Sequence, residues 1–313
     1  MHATLTALTE ELRRLKAAGV KTVAVSPESL AALQAVVAAR RKVAPAATEP
    51  SAAPPSPAVG KPPPAIATRP PRDESARPVR GATEVALAPQ LPAAPEFTLP
   101  PGDKAVRWAW LREHVTKNEV CCANVRVGKK VVLGVGSLDA KLFFCGEAPG
   151  AEEEVQGEPF VGPAGQLLTK MIQAMGLARG DVYIGNIMNW RPRLGAADVE
   201  QVGNRPPTTE EMAYCLPFLR AQIEIVQPEV IIALGATAAK GLLGPDSFKA
   251  VGEVRGRWHD FGGRPLMVTY HPSYILRNQS NRSKRMIWED LLKVMERVGL
   301  PISERQRGYF LDR

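Results

Sequence analysis

Apolar residues recur along this chain with two different periods. Near the N-terminus, Leu5, Leu8, Leu12 and Leu15 repeat at the spacing of one helix face among charged neighbours. Ser26-Pro27-Glu28-Ser29 supplies helix-start signals for a second short helix through LAALQAVVAARR. Beyond Trp108 the pattern changes, and compact apolar runs alternate with amphipathic stretches. The runs at 141–146 (KLFFCG), 182–188 (VYIGNIM), 230–235 (VIIALG) and 265–270 (PLMVTY) have the length and composition of buried strands. The stretches at 164–177, 208–226, 236–243 and 283–298 have helical periodicity, and the second opens with Thr208 as a cap and Glu210 and Glu211 in its first turn. Strand–helix alternation predicts the α/β class: a three-layer α/β/α sandwich around a central four-stranded parallel sheet. Sites in such sheets form at the carboxyl ends of the strands. That rule singles out Gly146 to Gly150, Asn186, Gly235 and His271-Pro272-Ser273.

Composition divides the chain. Of its 29 prolines, 16 fall within residues 43–101, together with 14 alanines and one aromatic residue, Phe97. Such a stretch cannot bury enough apolar surface to offset its ordering entropy, so a disordered, partly extended linker is expected there. The organisation read from the sequence is therefore a helical segment at 1–42, a Pro/Ala linker at 43–101 and a catalytic domain at 102–313. The N-terminal helices carry nothing that looks catalytic and suit a handle for a protein partner not identifiable from sequence. No apolar run is long enough to span a membrane, and Met1 to Lys16 has no signal-peptide centre. Four cysteines in 313 residues make no disulfide framework, so a reducing cytoplasm and a monomer are the default expectations. The formal charge of +8 permits a polyanionic partner without requiring one.

Each strand-end feature has two readings when taken singly. Phe160, in the Gly/Pro-rich loop Gly157 to Gly165, is either a loop plug into the core or a ring that stacks on a planar base. Asn186 is either a satisfied turn residue or an amide that reads one edge of a pyrimidine. His271 is either a core histidine or a hydrogen-bond donor to a ligand.

Taken in order, the short motifs are more specific. G-E-A-P-G, G-x-P-F-V-G-x-A-G, Y-I-x-N, R-P, N-R-x-P-T-x-E-x3-C-x-P, L-G-x-x-A, R-G-x-W and H-P-S-Y run from about Lys117 to Met295. This series resembles the uracil-DNA glycosylase superfamily, nearest to the family-four branch whose members hold an iron–sulfur cluster. The resemblance implies a DNA repair glycosylase that flips uracil out of DNA and hydrolyses its N-glycosidic bond, leaving an abasic site. It implies catalytic roles for Glu147, Asn186 and His271, and a base pocket formed by Ala148, Gly150, Phe160 and Asn186. Glu153 is a further candidate for orienting water, because Ala148 stands where another branch places a water-activating Asp. The segment after the His motif matches a DNA-intercalating loop, which nominates Ile275, Leu276 and Arg277. Arg191, Arg193, Arg205, Arg255 and Arg257 are candidate phosphate contacts near the expected mouth.

Two departures qualify the resemblance. Cluster-bearing relatives supply four cysteines, whereas here the matching positions are Glu119, Cys122, Trp190 and Cys215. A thiolate-held cluster usually needs all four. Neither a 4Fe-4S cluster nor any other metal is therefore expected, and Trp190 is expected to fill the vacated volume. Cys145, inside the first apolar run, reads as a core residue. The second departure is an insertion at 194–203, where one branch of the superfamily carries a crosslinking histidine. No histidine lies there, so covalent trapping is not expected. The alternatives are a non-catalytic DNA-binding protein on the same fold, a glycosylase for another deaminated base, and an enzyme of other substrate.

Overall fold

The computed structural model describes residues 91–194, 201 and 203–311. The helical segment expected at 1–42 and the expected linker as far as residue 90 lie outside the described residues. Residues 91–101 form no helix or strand. They nevertheless pack on the core through Leu91, Phe97 and Leu99. Phe97 sits 5.9 Å from the Trp110 ring and 5.6 Å from Phe218. The packed body thus takes in the last eleven residues assigned to linker from composition, where Leu91, Phe97 and Leu99 give the stretch apolar anchors.

Helix α1 (Lys104–Thr116) is capped by Asp103, whose side chain accepts from the Val106 N–H, and α2 (Glu119–Asn124) is capped by Asn118 in the same way. Strand β1 (Val135–Gly136) precedes β2 (Leu142–Gly146), α3 (Ala151–Gln156) and α4 (Pro163–Ala174). Strand β3 (Tyr183–Asn186) leads to α5 (Thr209–Val226), where Thr208 and Glu211 form a reciprocal capping box. Then follow β4 (Val230–Leu234), α6 (Ala236–Leu243), α7 (Val251–Val254), β5 (Trp258–Phe261), β6 (Arg264–Thr269), α8 (Pro272–Arg277), α9 (Asn281–Arg297) and α10 (Glu304–Arg307).

The sheet has six strands in the order β1-β3-β2-β4-β6-β5. This corrects the expected four-stranded parallel sheet. The four central strands are parallel, but β1 pairs antiparallel with β3 and β5 antiparallel with β6. Neither edge has a buried apolar run to announce it. β1 is two residues long, and β5 (WHDF) alternates between exposed and half-buried positions. The central strands bury both faces. Phe143, Cys145, Tyr183, Ile231 and Ala233 pack on one side with residues of α1, α5 and α6. Leu142, Phe144, Ile184, Ile232 and Met267 pack on the other with Leu168, Ile172, Trp288 and Leu291 of α4 and α9. Helices thus flank the sheet on both faces, as period-two alternation in a doubly covered sheet requires. Among the described residues, no helix is long and apolar enough to cross a membrane.

Candidate active site

The four parallel strands end at one edge of the sheet, and the chain turns into a helix after three of them. A cleft of about 580 Å³ opens there, lined by Glu147, Ala148, Gly150, Phe160, Asn186, Gly235 and His271 among others. The structure thus brings together every catalytic and base-pocket residue nominated from sequence. The N-caps of α3, α4, α6 and α8, namely Gly150, Gly162, Gly235 and His271, all lie on its wall. Helix N-termini present partial positive charge, which offsets the carboxylates of Glu147, Glu152 and Glu153 on the same wall.

Phe160 is held in place by unusual local means. Its φ of 55° is a left-handed conformation that a non-glycine residue adopts only under constraint. The constraint is Glu153. Its Oε1 accepts from the N–H groups of Val161 (3.1 Å) and Gly162 (3.0 Å), and its Oε2 accepts from Gly150 N–H (3.1 Å). One carboxylate therefore ties the Gly150 turn to the Phe160 loop. Both its oxygens are turned to backbone donors, so Glu153, expected from the sequence as a residue that orients water, braces the loop here. Glycine is required on either side of the ring. A Cβ on Gly146 would overlap Asn186 Oδ1 and the Phe160 ring, and one on Gly165 would overlap the Phe160 carbonyl.

Asn186 closes β3 opposite Gly146 in the parallel ladder. It is only 6% exposed, and its Oδ1 is buried without a hydrogen-bond partner. A buried acceptor without a protein partner is free to accept from a ligand or a water. His271 faces Phe160 with ring centroids 5.7 Å apart. Its Nδ1 accepts from the Ser273 backbone N–H at 3.1 Å and lies 2.8 Å from Ser273 Oγ. A backbone N–H can only donate, so the proton of the neutral imidazole sits on Nε2. Burial, reinforced by the positive charge of Arg277, pushes the His271 pKa down to about 4. The ring is therefore a neutral donor. Burial pushes the Glu147 carboxyl up from its ordinary value, and a hydrogen bond with Thr237 opposes that shift. Thr237 and Asn204 also line the cleft, although strand-end reasoning did not single them out, and so does Ser273, which it did. Asn204 lies within the quoted N-R-x-P motif, but only the fold shows that its Oδ1 accepts from Arg191 Nε at 2.8 Å.

The arginines divide into two groups. Arg191 is buried and paired with buried Glu154 at 2.8 Å, and it also donates to the Gly203 carbonyl. Arg193 donates to the Ala123, Asn124 and Val125 carbonyls at the end of α2. Arg205 makes a two-toothed pair with Glu211, and Arg255 does so with Asp290. These four, expected from the sequence as phosphate contacts, have internal partners. Planar guanidinium groups satisfy several carbonyls and carboxylates at once, so they serve as internal braces. Arg257 and Arg277 are exposed. Ile275 is 7% exposed and packs in the core, so it does not project as an intercalating side chain, whereas Leu276 is 42% exposed.

Residues 133–292, half of the chain, match the model of the uracil DNA glycosylase superfamily. The chain belongs to that superfamily. Its affinity is with the type-4 branch. It is 45% identical over 183 residues to the type-4 uracil-DNA glycosylase of Thermotoga maritima, covering 58% of this chain and 89% of the relative. It is 38% identical over 182 residues to the type-4 uracil-DNA glycosylase of Saccharolobus solfataricus, covering 56% and 79%. It is 26% identical over 206 residues to the type-5 uracil-DNA glycosylase of Thermus thermophilus, covering 61% and 91%.

Within this superfamily the chain lacks a complete set of cluster cysteines, and the structure shows what stands in their place. Trp190 is 1% exposed and packs 6.1 Å from the Tyr214 ring. Cys215 and Cys121 are buried, and burial pushes the Cys121 thiol up to about 12. Cys122 is exposed, with its Sγ 3.1 Å from the Thr116 carbonyl oxygen, and Glu119 opens α2. Among the described residues, no group of three or more His, Cys, Asp or Glu is placed to hold a metal. An indole cannot ligate iron, so these residues do not fit a four-thiolate cluster. Trp190 supplies apolar volume instead.

Proposed function

We propose that this chain is a monofunctional uracil-DNA glycosylase that extrudes uracil from DNA, breaks its bond to C1′ and leaves an abasic site. The observation that carries this reading is the buried, unpartnered Oδ1 of Asn186 beside the Phe160 ring. Uracil presents an N3–H donor beside the O4 acceptor, which match the Oδ1 and Nδ2 of one carboxamide. Cytosine presents the reverse pattern and would leave Oδ1 facing a lone pair, which is the discrimination a repair enzyme needs.

The same residues suit the chemistry. As the C1′–N1 bond breaks, its electron pair moves onto the base and positive charge develops on the sugar. His271 Nε2–H donates to O2, where negative charge grows only in the transition state. A neutral donor serves there without handing over a proton. The surrounding helix N-termini favour the same anion. Glu147, beside Ala148 and Gly150, orients the water that bonds to C1′, and the proton this water releases neutralises the departed uracil anion. Arg277 at the cleft wall and Arg257 meet phosphates, and Leu276 fills the space the extruded base leaves.

The test is purified full-length protein with uracil, hypoxanthine and undamaged oligonucleotides, single- and double-stranded, followed by alkali cleavage. Strand breaks confined to uracil are expected. Cleavage at hypoxanthine alone, or at none of them, would overturn the reading.

A further inference from the structure

The catalytic cleft is poor in available cations. Its lining includes Glu147, Glu152 and Glu153 against Arg205 and Arg277, and Arg205 is already paired with Glu211. A glycosylase must still hold a polyanion against this acidic rim. A second depression, of about 790 Å³, lies between the C-terminal half of α1, the segment 125–131 and the end of α3. Its charge is the opposite: Arg112, Arg126, Lys129 and Lys130 line it against the single carboxylate of Glu158.

The groove is built rather than incidental. Lys130 is fixed to α3 by its backbone N–H, which donates to the Glu154 carbonyl at 2.7 Å, and by its Nζ, which donates to Gln156 at 3.2 Å. Arg126 donates to the Leu194 carbonyl at 3.0 Å. The Arg112 guanidinium lies over the Trp108 ring at 5.7 Å, and neither it nor Lys129 forms an ion pair with another described residue. Val127, at the tip of the segment, is wholly exposed.

The groove and the cleft lie at the two ends of α3. Helix α3 starts at the cleft wall at Gly150 and ends at Gln156 on the groove wall, and the next few residues return to Phe160. Six helical residues span about 9 Å, which corresponds to two or three phosphates along a duplex strand.

We propose that this groove binds the DNA backbone two or three phosphates away from the extruded nucleotide. Arg112, Lys129 and Lys130 neutralise the phosphates, and the acidic rim of the cleft is left to the sugar and base. The inference rests on the glycosylase reading for its register, but DNA binding tests it separately. The experiment uses the full chain carrying Arg112→Ala, Lys129→Ala and Lys130→Ala together, and a second variant with Lys129→Glu alone in case the triple change impairs folding. Binding to an undamaged duplex is followed by anisotropy across a salt series. Each lost phosphate contact is expected to flatten the slope of log affinity against log salt by about one. Uracil excision is compared on a long duplex and on a trinucleotide too short to reach the groove.

The expected result is a flatter salt slope and slower excision on the long duplex, with trinucleotide excision unchanged. A wild-type protein that excises no uracil would end the glycosylase reading, while the salt slope would still decide the groove. Unchanged affinity and slope in a folded variant would overturn the proposal. So would unchanged DNA binding with lost binding to polyglutamate, which would assign the groove to an acidic protein.

Discussion

Replacing Gly146 with alanine places one methyl group where the base pocket has no room. The new Cβ would lie well inside ordinary contact with both Asn186 Oδ1 and Phe160 Cζ, so each would have to retreat by about 1 Å to reach the ~3.5 Å of normal packing. Neither has an easy way back. Asn186 is locked in register with Gly146 across the β2–β3 ladder. Phe160 has its carbonyl against Gly165 and its loop tied to Glu153. Overpacking of this kind costs about 1–3 kcal/mol of stability. A 1 Å displacement of a positioning group costs on the order of a hundredfold in rate. We therefore expect Gly146→Ala to fold with a lowered Tm and to lose about a hundredfold in single-turnover uracil excision. Gly185→Ala is the control: it lies on the adjacent strand, where the added Cβ would meet the Phe143 ring at an ordinary 3.4 Å. It should excise like wild type. If Gly146→Ala also excises like wild type, Phe160 and Asn186 are not the walls that hold the base.

Arg191→Ala should act on stability rather than DNA contact, because it strands Glu154 as a buried uncompensated charge; denaturant unfolding should show a loss of about 3–5 kcal/mol. A fully stable variant with weakened DNA binding would return Arg191 to the phosphate contacts. Leu276→Ala should slow excision from duplex more than from single strands, since only a duplex has a stack to refill, while Ile275→Ala should mainly lower Tm. Equal slowing on both substrates by Leu276→Ala would refute the wedge. His271 should stay neutral from pH 8 to well below its unfolded value of ~6.5, and imidazole NMR should show Nε2–H throughout that range. Because the unfolded chain takes up that proton first, the His271 contribution to stability is complete above ~6.5 and is lost as pH falls toward about 4. A titration midpoint near 6.5 in the folded protein would contradict this.

The central sheet was legible because buried parallel strands leave continuous apolar runs, and KLFFCG, VIIALG and PLMVTY could hardly be anything else. The edges were not, since WHDF reads as a polar loop until its pairing with β6 is seen. Strand-end reasoning reached Glu147, Asn186 and His271 because a parallel sheet sends its carboxyl ends to one side. The internal partners of the arginines were not legible, for a physical reason. A sequence shows a cation but not the carboxylate or carbonyls that the fold brings to it, and Arg191 and Glu154 are 37 positions apart. The partners of Glu153 were hidden in the same way, being N–H groups eight and nine residues on.

The base-reading role is tested most directly by single-turnover excision of uracil from one duplex, comparing the full wild-type chain with Asn186→Ala and His271→Ala at matched thermal stability. Loss of one transition-state donor costs about 10²–10³ in rate, so each variant should fall by roughly that factor while cytosine stays untouched. Wild-type protein that leaves uracil in place, or variants that remove it at the wild-type rate, would contradict the account.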